Sequence, residues 1–241
     1  MSEVYKYNRI LLKISGETLK GNLEFGYEED AVSTVVKRVG KIVDDGVETA
    51  LVVGAGNVWR GVMGTSGGLE MERVTADYMG MLATVMNALC LRDAFESAGF
   101  AAEVMTSVPM SPIAKPYSKD DAVKYLENGK VVIFACGTGS PFFTTDTTAS
   151  LRALEIGAEV LLKATKVDGI YDKDPRKFPD AVRYSALTYR QALNDNLQIM
   201  DSTAFSMCRD NNLPIIVFDF FREENIVKVL QGDNSIGTLV S

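Results

Sequence analysis

Two lysines stand at the ends of apolar runs, in Ile10-Leu11-Leu12-Lys13-Ile14 and Val160-Leu161-Leu162-Lys163. A lysine inside an apolar strand costs stability unless something anionic pairs with it. Each is therefore either an edge-strand lysine reaching solvent or a cation aimed at phosphate, and the repeat of the arrangement favours the second. Three loops rich in small residues also follow apolar strands: Ser15-Gly16-Glu17, Gly54-Ala55-Gly56-Asn57 and Gly137-Thr138-Gly139-Ser140. Small residues let backbone N–H groups approach an anion closely. One such loop is ordinary turn chemistry, whereas three point to an anion-binding cleft.

Other residues fit such a cleft but have plainer alternatives. Arg60 is either a surface arginine or a planar fork for a phosphate. Asp77 is either a solvated helix charge or an acceptor for ribose hydroxyls. Thr144-Thr145-Asp146-Thr147-Thr148 opens a helix, where capping and anion binding use the same free N–H groups. Two familiar nucleotide motifs fail. Gly16 and Gly21 have P-loop spacing, but Asn22 stands where lysine is required. Gly54-Ala55-Gly56 would need a third glycine at Trp59, which leaves a dinucleotide site as the runner-up.

The chain has 241 residues and no histidine. That excludes Ser-His-Asp and Cys-His catalysis and histidine-based zinc sites. With 25 Lys+Arg against 32 Asp+Glu, the net charge is −7, which argues against a nucleic-acid coat. Cys90, Cys136 and Cys208 are too scattered for a disulfide framework or a CxxC knuckle, which predicts reduced thiols and a cytoplasmic setting. The first residues lack the apolar region of a signal peptide, and the apolar runs read as strand-length, which predicts no membrane span.

These groups must be positioned by alternating strands and helices. Strands are expected at 10–14, 47–53, 100–105, 131–135, 160–162, 214–218 and 236–240. Helices are expected at 31–43, at 70–97 with Gly99 as its stop, at 118–127 behind a Ser118 cap, after Asp146, and at 225–230. On the long helix, Met79, Leu82, Met86, Leu89 and Cys90 mark one apolar face, read as core or subunit contact. Segments 15–28, 61–70, 106–118 and 168–187 read as loops. Strand–helix alternation with continuous apolar strands predicts an α/β fold: one domain over 1–241 with a mainly parallel sheet covered on both faces.

Several segments together resemble the amino acid kinase family. They are Arg9 through Glu17, Gly54 through Gly61, Ala76 through Thr84, Gly137 through Asp146, and Leu162 through Tyr171. The Asp77–Thr84 and Thr138–Asp146 segments are similar to its bacterial uridylate (UMP) kinase branch. The resemblance implies a three-layer αβα sandwich that transfers a phosphoryl group from MgATP to UMP, giving UDP and ADP for UTP and CTP synthesis. It implies a UMP-binding and oligomerising N-terminal part, an ATP-binding C-terminal part, and a cytoplasmic homohexamer built as a trimer of dimers. UTP and GTP are the effectors it implies.

Carried over by position, Lys13, Arg60, Asp146 and Lys163 are the catalytic group, with Asp201 in indirect support. Lys13, Ile14, Ser15, Gly16, Gly56, Arg60, Thr165, Tyr171 and Asp174 would meet ATP. Ala55, Asp77, Thr138, Gly139, Ser140, Pro141, Phe142, Phe143, Thr144 and Thr145 would meet UMP. Mg²⁺ would ride mostly on ATP phosphates, with Asp146 the first carboxylate to examine as a ligand. Three departures stand out: Ala55 replaces a glycine, Ser140 replaces a common asparagine, and Glu96 and Glu103 replace basic residues beside Arg92, which counts against GTP control. A phosphate acceptor is already anionic near neutrality, so this reaction loses nothing without histidine. An amino-acid or carbamate kinase and a non-catalytic nucleotide sensor remain as alternatives.

Overall fold

The computed structural model describes residues 5–59 and 71–241. Nine strands form one sheet: β1 (Arg9–Ile14), β2 (Glu48–Val53), β3 (Ala102–Thr106), β4 (Lys115–Pro116), β5 (Val131–Ala135), β6 (Val160–Thr165), β9 (Ala186–Leu187), β10 (Ile215–Asp219) and β11 (Gly237–Val240). Their order is β4-β3-β5-β2-β1-β6-β10-β11-β9. Its pairings are parallel except β10 with β11. A separate hairpin pairs β7 (Ile170–Tyr171) with β8 (Arg183–Tyr184).

The eight described helices are α1 (Glu17–Lys20), α2 (Glu29–Asp44), α3 (Arg73–Ser97), α4 (Lys119–Glu127), α5 (Thr145–Glu155), α6 (Tyr189–Asn194), α7 (Ser202–Asp210) and α8 (Asn225–Leu230). Strand periodicity divides them into two layers, because successive side chains point to opposite faces. Ile10, Leu12 and Ile14 of β1 and Leu162 and Ala164 of β6 pack with α2, α3 and α8. Leu11 and Leu161 pack with α4, α5, α6 and α7. By that alternation Lys13 and Lys163 belong to the α5 side. The result is the three-layer α/β sandwich expected from the strand–helix alternation.

The sheet also dictates where a ligand belongs. From β1 the chain builds outward through β2 on one side and β6 on the other. A crevice opens at such a reversal, outside the carboxyl ends of the strands. The β1/β6 boundary is that point, and Lys13 and Lys163 are register partners across it. Since β1 is central, the edge-strand alternative for Lys13 is removed.

Several expectations need correction. Segment 15–28 contains α1, segment 106–118 contains β4, and segment 168–187 contains β7, β8 and β9. Helices α6 and α7 lie outside the expected helices. Helix α5 begins at Thr145 behind Thr144, so Asp146 lies inside its first turn rather than before it. Gly99 does end α3, at φ +90°. However, Leu82 and Met86 point outward at 52% and 51% exposure, whereas Ala76, Met81, Val85, Ala88, Leu91 and Phe95 are buried. Apolar residues lie on nearly every side of the helix, so the pattern does not single out the buried face, which holds Met81, Leu91 and Phe95 beside the small Ala76 and Ala88. Helix α3 is also longer and more apolar than strand-length runs, enough by length and composition to cross a membrane. Its inner face instead packs into the protein core.

Candidate active site

The centre of the site is a lysine–aspartate–lysine bridge. Lys13 Nζ lies 2.8 Å from Asp146 Oδ1, and Lys163 Nζ donates to Asp146 Oδ2 at 2.7 Å. Lys163 also donates to the Ile199 carbonyl at 2.6 Å. The three side chains are only 13–17% exposed. Burial pushes the Asp146 carboxyl up, but the two ammonium groups outweigh it and hold the carboxyl below its ordinary range. Burial pulls Lys163 down and prevails over the opposing pull of Asp146, with the Lys13 charge adding to the fall. The bridge carries a net positive charge at the N-terminus of α5, where helix N–H groups also favour anions.

Threonine and aspartate caps position Asp146. Thr144 Oγ1 accepts from the Asp146 and Thr147 N–H groups at 3.1 and 3.2 Å. The same hydroxyl donates to Asp201 Oδ2 at 2.5 Å, and Thr147 Oγ1 donates to Asp201 Oδ1 at 3.0 Å. Asp201 in turn caps α7 by accepting from Ala204 N–H at 2.9 Å. One carboxylate therefore ties the starts of two helices together beside Asp146.

The two glycine loops near β1 and β2 are packed against each other. A Cβ on Gly16 would fall 2.3 Å from the Gly54 carbonyl oxygen and 2.5 Å from Asn57 Oδ1, so only glycine fits. Asn57 and Asn87, both buried, exchange side-chain hydrogen bonds of 2.9 and 2.8 Å. Asn87 also donates to the Gly54 carbonyl at 2.7 Å. Ser15 Oγ accepts from Glu17 N–H at 3.3 Å at the start of α1. Ala55 is not at positive φ, so alanine there carries no backbone strain. Arg60 lies outside the described residues.

Two cavities flank the bridge. The first, of about 170 Å³, is lined by Ala55, Trp59, Asp77, Phe143, Thr144 and Thr145, among others. Asp77 accepts from Phe142 N–H at 2.8 Å and from Arg73 Nε at 3.2 Å. Thr138, Gly139, Ser140, Pro141 and Phe142 form the adjoining loop rather than the cavity wall. Thr138 Oγ1 closes that loop on itself, accepting from Ser140 N–H at 3.3 Å.

The second cavity, of about 570 Å³, is lined by Lys163, Thr165, Tyr171, Asp174, Arg176 and Gln198, among others. The Tyr171 hydroxyl donates to Asp168 Oδ1 at 2.6 Å, and this bond leads burial in pushing its pKa up. Asp174 accepts from Arg176 N–H at 3.0 Å, and that bond leads in holding its carboxyl low. Lys163 lines this cavity while touching Asp146, whose neighbours Thr144 and Thr145 line the other. The bridge thus lines the larger pocket through Lys163 and adjoins the smaller one through Thr144 and Thr145.

Among the described residues, no cluster of three or more acidic or cysteine side chains is arranged to hold a metal. Asp146 is engaged by lysine on both oxygens, so the chain supplies cationic charge at this point directly. Trp59, Arg73, Met81 and Thr84 were not foreseen as site residues. Trp59 carried a signal in its place after the Gly54–Asn57 loop; its Nε1 donates to the Ala76 carbonyl at 3.0 Å and closes the cavity wall.

Comparison with known proteins bears on this arrangement. Residues 8–219 match the amino acid kinase family. The fold is similar to UMP kinase from Bacillus anthracis at 36% identity and TM-score 0.94, covering 98% of this chain and 96% of that one. It is similar to UMP kinase from Ureaplasma parvum at 35% identity and TM-score 0.91, covering 98% and 99%. Uridylate kinase from Archaeoglobus fulgidus is similar at 26% identity and TM-score 0.75, covering 96% and 99%. With its mainly parallel sheet and lysine bridge at the β1/β6 boundary, this chain belongs to the amino acid kinase family.

Proposed function

We propose that this chain is a UMP kinase, which transfers the γ-phosphoryl group of ATP to UMP and releases UDP and ADP. The observation that carries this reading is the Lys13–Asp146–Lys163 bridge between two cavities of unequal size. Full-length similarity to proteins described as UMP kinases supports the choice of acceptor. In this reading ATP occupies the larger cavity, near Thr165, Tyr171 and Asp174, with its phosphates toward Lys13, Ile14, Ser15, Gly16 and Gly56. UMP occupies the smaller one, its ribose hydroxyls on Asp77, its base beside Thr138–Ser140, and its phosphate toward Thr144 and Thr145.

Phosphoryl transfer spreads negative charge over the equatorial oxygens, and catalysis consists mainly of positioning and charge stabilisation. Lys13 and Lys163 supply that positive charge, and Asp146 keeps their ammonium groups fixed. The positive end of the α5 dipole favours the acceptor phosphate. No general base is needed, because the attacking oxygen is already anionic. Mg²⁺ carried on the ATP phosphates supplies further charge neutralisation.

The exposed stripe Val74, Tyr78, Leu82 and Met86 on α3 supports a homo-oligomer, with a hexamer as the proposed form. Three free cysteines support a reducing cytoplasm. UDP formation places the enzyme in pyrimidine nucleotide synthesis, with UTP the proposed feedback effector. GTP is the weaker effector, because Glu96 and Glu103 stand where basic residues would meet it; Lys115 and Lys130, at 3.1 and 3.7 Å, offset only the Glu103 charge. An amino-acid or carbamate kinase is disfavoured by Asp77, since its carboxylate suits hydroxyl donors rather than a carboxylate acceptor. ADP release from MgATP, compared across UMP, CMP, dUMP, glutamate and carbamate, tests the proposal.

A further inference from the structure

A buried arginine stands behind the acceptor loop. Arg152, near the end of α5, is 5% exposed. Its guanidinium lies 3.6 Å from the centroid of the Tyr117 ring, and its Nη1 pairs with Glu155. Its Nη2 donates to Ser107 Oγ at 2.8 Å. Ser107 Oγ donates onward to the Gly137 carbonyl at 2.6 Å. Guanidinium can only donate, so it occupies a Ser107 lone pair and leaves the hydroxyl proton directed at Gly137. A hydroxyl without that neighbour would be free to rotate.

The turn held in this way is an unusual one. Cys136, Gly137 and Gly139 lie at φ +65°, +56° and +83°. A non-glycine residue there is strained and persists only where its surroundings over-determine it. Thr84 of α3 accepts from Cys136 N–H at 2.9 Å on one side. Ser107 fixes the Gly137–Thr138 peptide on the other, and a Cβ on Gly139 would lie 3.2 Å from the Ser107 Cβ.

We infer that Arg152 is a positioning residue for the acceptor site: acting through Ser107, it fixes the left-handed turn that sets Thr138–Ser140 beside the acceptor cavity. It governs affinity for the nucleotide base without touching either substrate. This rests on the acceptor-loop reading given above.

Ser107→Ala and Arg152→Lys test it, with KM measured for UMP and ATP and binding of each nucleotide measured by calorimetry. Ser107→Ala should raise KM for UMP about tenfold, equivalent to ~1.4 kcal/mol, while KM for ATP stays within about twofold. Arg152→Lys should do the same, since an ammonium lacks the planar fork that serves Glu155 and Ser107 together. Because both act through one bond, the double variant should fall within about twofold of the worse single variant. If Arg152→Lys fails to fold, Ser107→Ala alone decides. A fall in melting temperature with an unchanged ratio of the two KM values would overturn the inference and leave Arg152 merely structural. Failure of the unaltered protein to bind UMP would overturn the acceptor-loop reading, and this inference with it.

Discussion

Lys13 and Lys163 face each other across the β1–β6 register, and each Nζ stands on a different oxygen of Asp146. Two like charges are thus held side by side by one carboxylate, at the point where the sheet reverses its winding. Neither strand would tolerate its lysine alone. The arrangement preorganises positive charge before substrate arrives, which removes reorganisation from the reaction step.

Lys13→Ala should lower kcat by at least about a hundredfold, the effect of losing one preorganised charge in a water-poor site. It should also lower the melting temperature. Breaking a buried pair costs about 3–5 kcal/mol when one partner is left uncompensated, and Asp146 here retains Lys163, so a smaller loss is expected. Steady-state kinetics with thermal unfolding checks both. Near-normal turnover would remove Lys13 from the catalytic group.

Asp77→Asn should raise KM for UMP far more than KM for ATP. A charge-assisted hydrogen bond to ribose is worth roughly 1.5–3 kcal/mol, and the amide recovers only part of it. Parallel changes in both constants would contradict the ribose role.

The pH profile should have one acid limb. A phosphate monoester has its second pKa near about 6, and the dianion is the better nucleophile. So kcat/KM for UMP should rise through about pH 6 and level off toward pH 8. Asp146 cannot supply that limb, because Lys13 and Lys163 hold its carboxyl below the ordinary range against the effect of burial. Its contribution to stability follows the same sign: present above the unfolded carboxylate pKa, and lost as pH falls through the depressed folded value. Residual activity of Asp146→Asn should keep the limb; its disappearance would reassign Asp146 as a general base.

Asn87→Leu should destabilise the protein by at least ~2 kcal/mol, since it strands Asn57 and the Gly54 carbonyl without their buried partner. For a chain of this size that corresponds to a fall of about 4–8 °C in melting temperature. An unchanged transition would show that the glycine loops pack without the amide pair.

Apolar strand runs made the sheet legible in the sequence, and period two carried Lys13 and Lys163 to the same face once their strands paired. Ser118 and Gly99 marked helix ends correctly because caps are local chemistry. Helix α6 has the same local signal, a capping box of Thr188 and Gln191. The inner face of α3 was not legible, because apolar residues lie on nearly every side of the helix and leave Leu82 and Met86 as plausible for the core as Met81 and Leu91. Asp201 was placed only by resemblance, and its three partners come from two helices that meet only in the folded chain. The Arg152–Ser107–Gly137 series spans three distant segments, so no spacing in the sequence announces it.

The most direct measurement follows the phosphorus itself. Phosphorus NMR of a mixture of MgATP, UMP and this protein should show UDP and ADP appearing in equal amounts. Free inorganic phosphate should stay absent, and the signal should collapse with Lys13→Ala. ADP formed with inorganic phosphate in place of UDP, or glutamate or carbamate accepting phosphate better than UMP, would contradict the account.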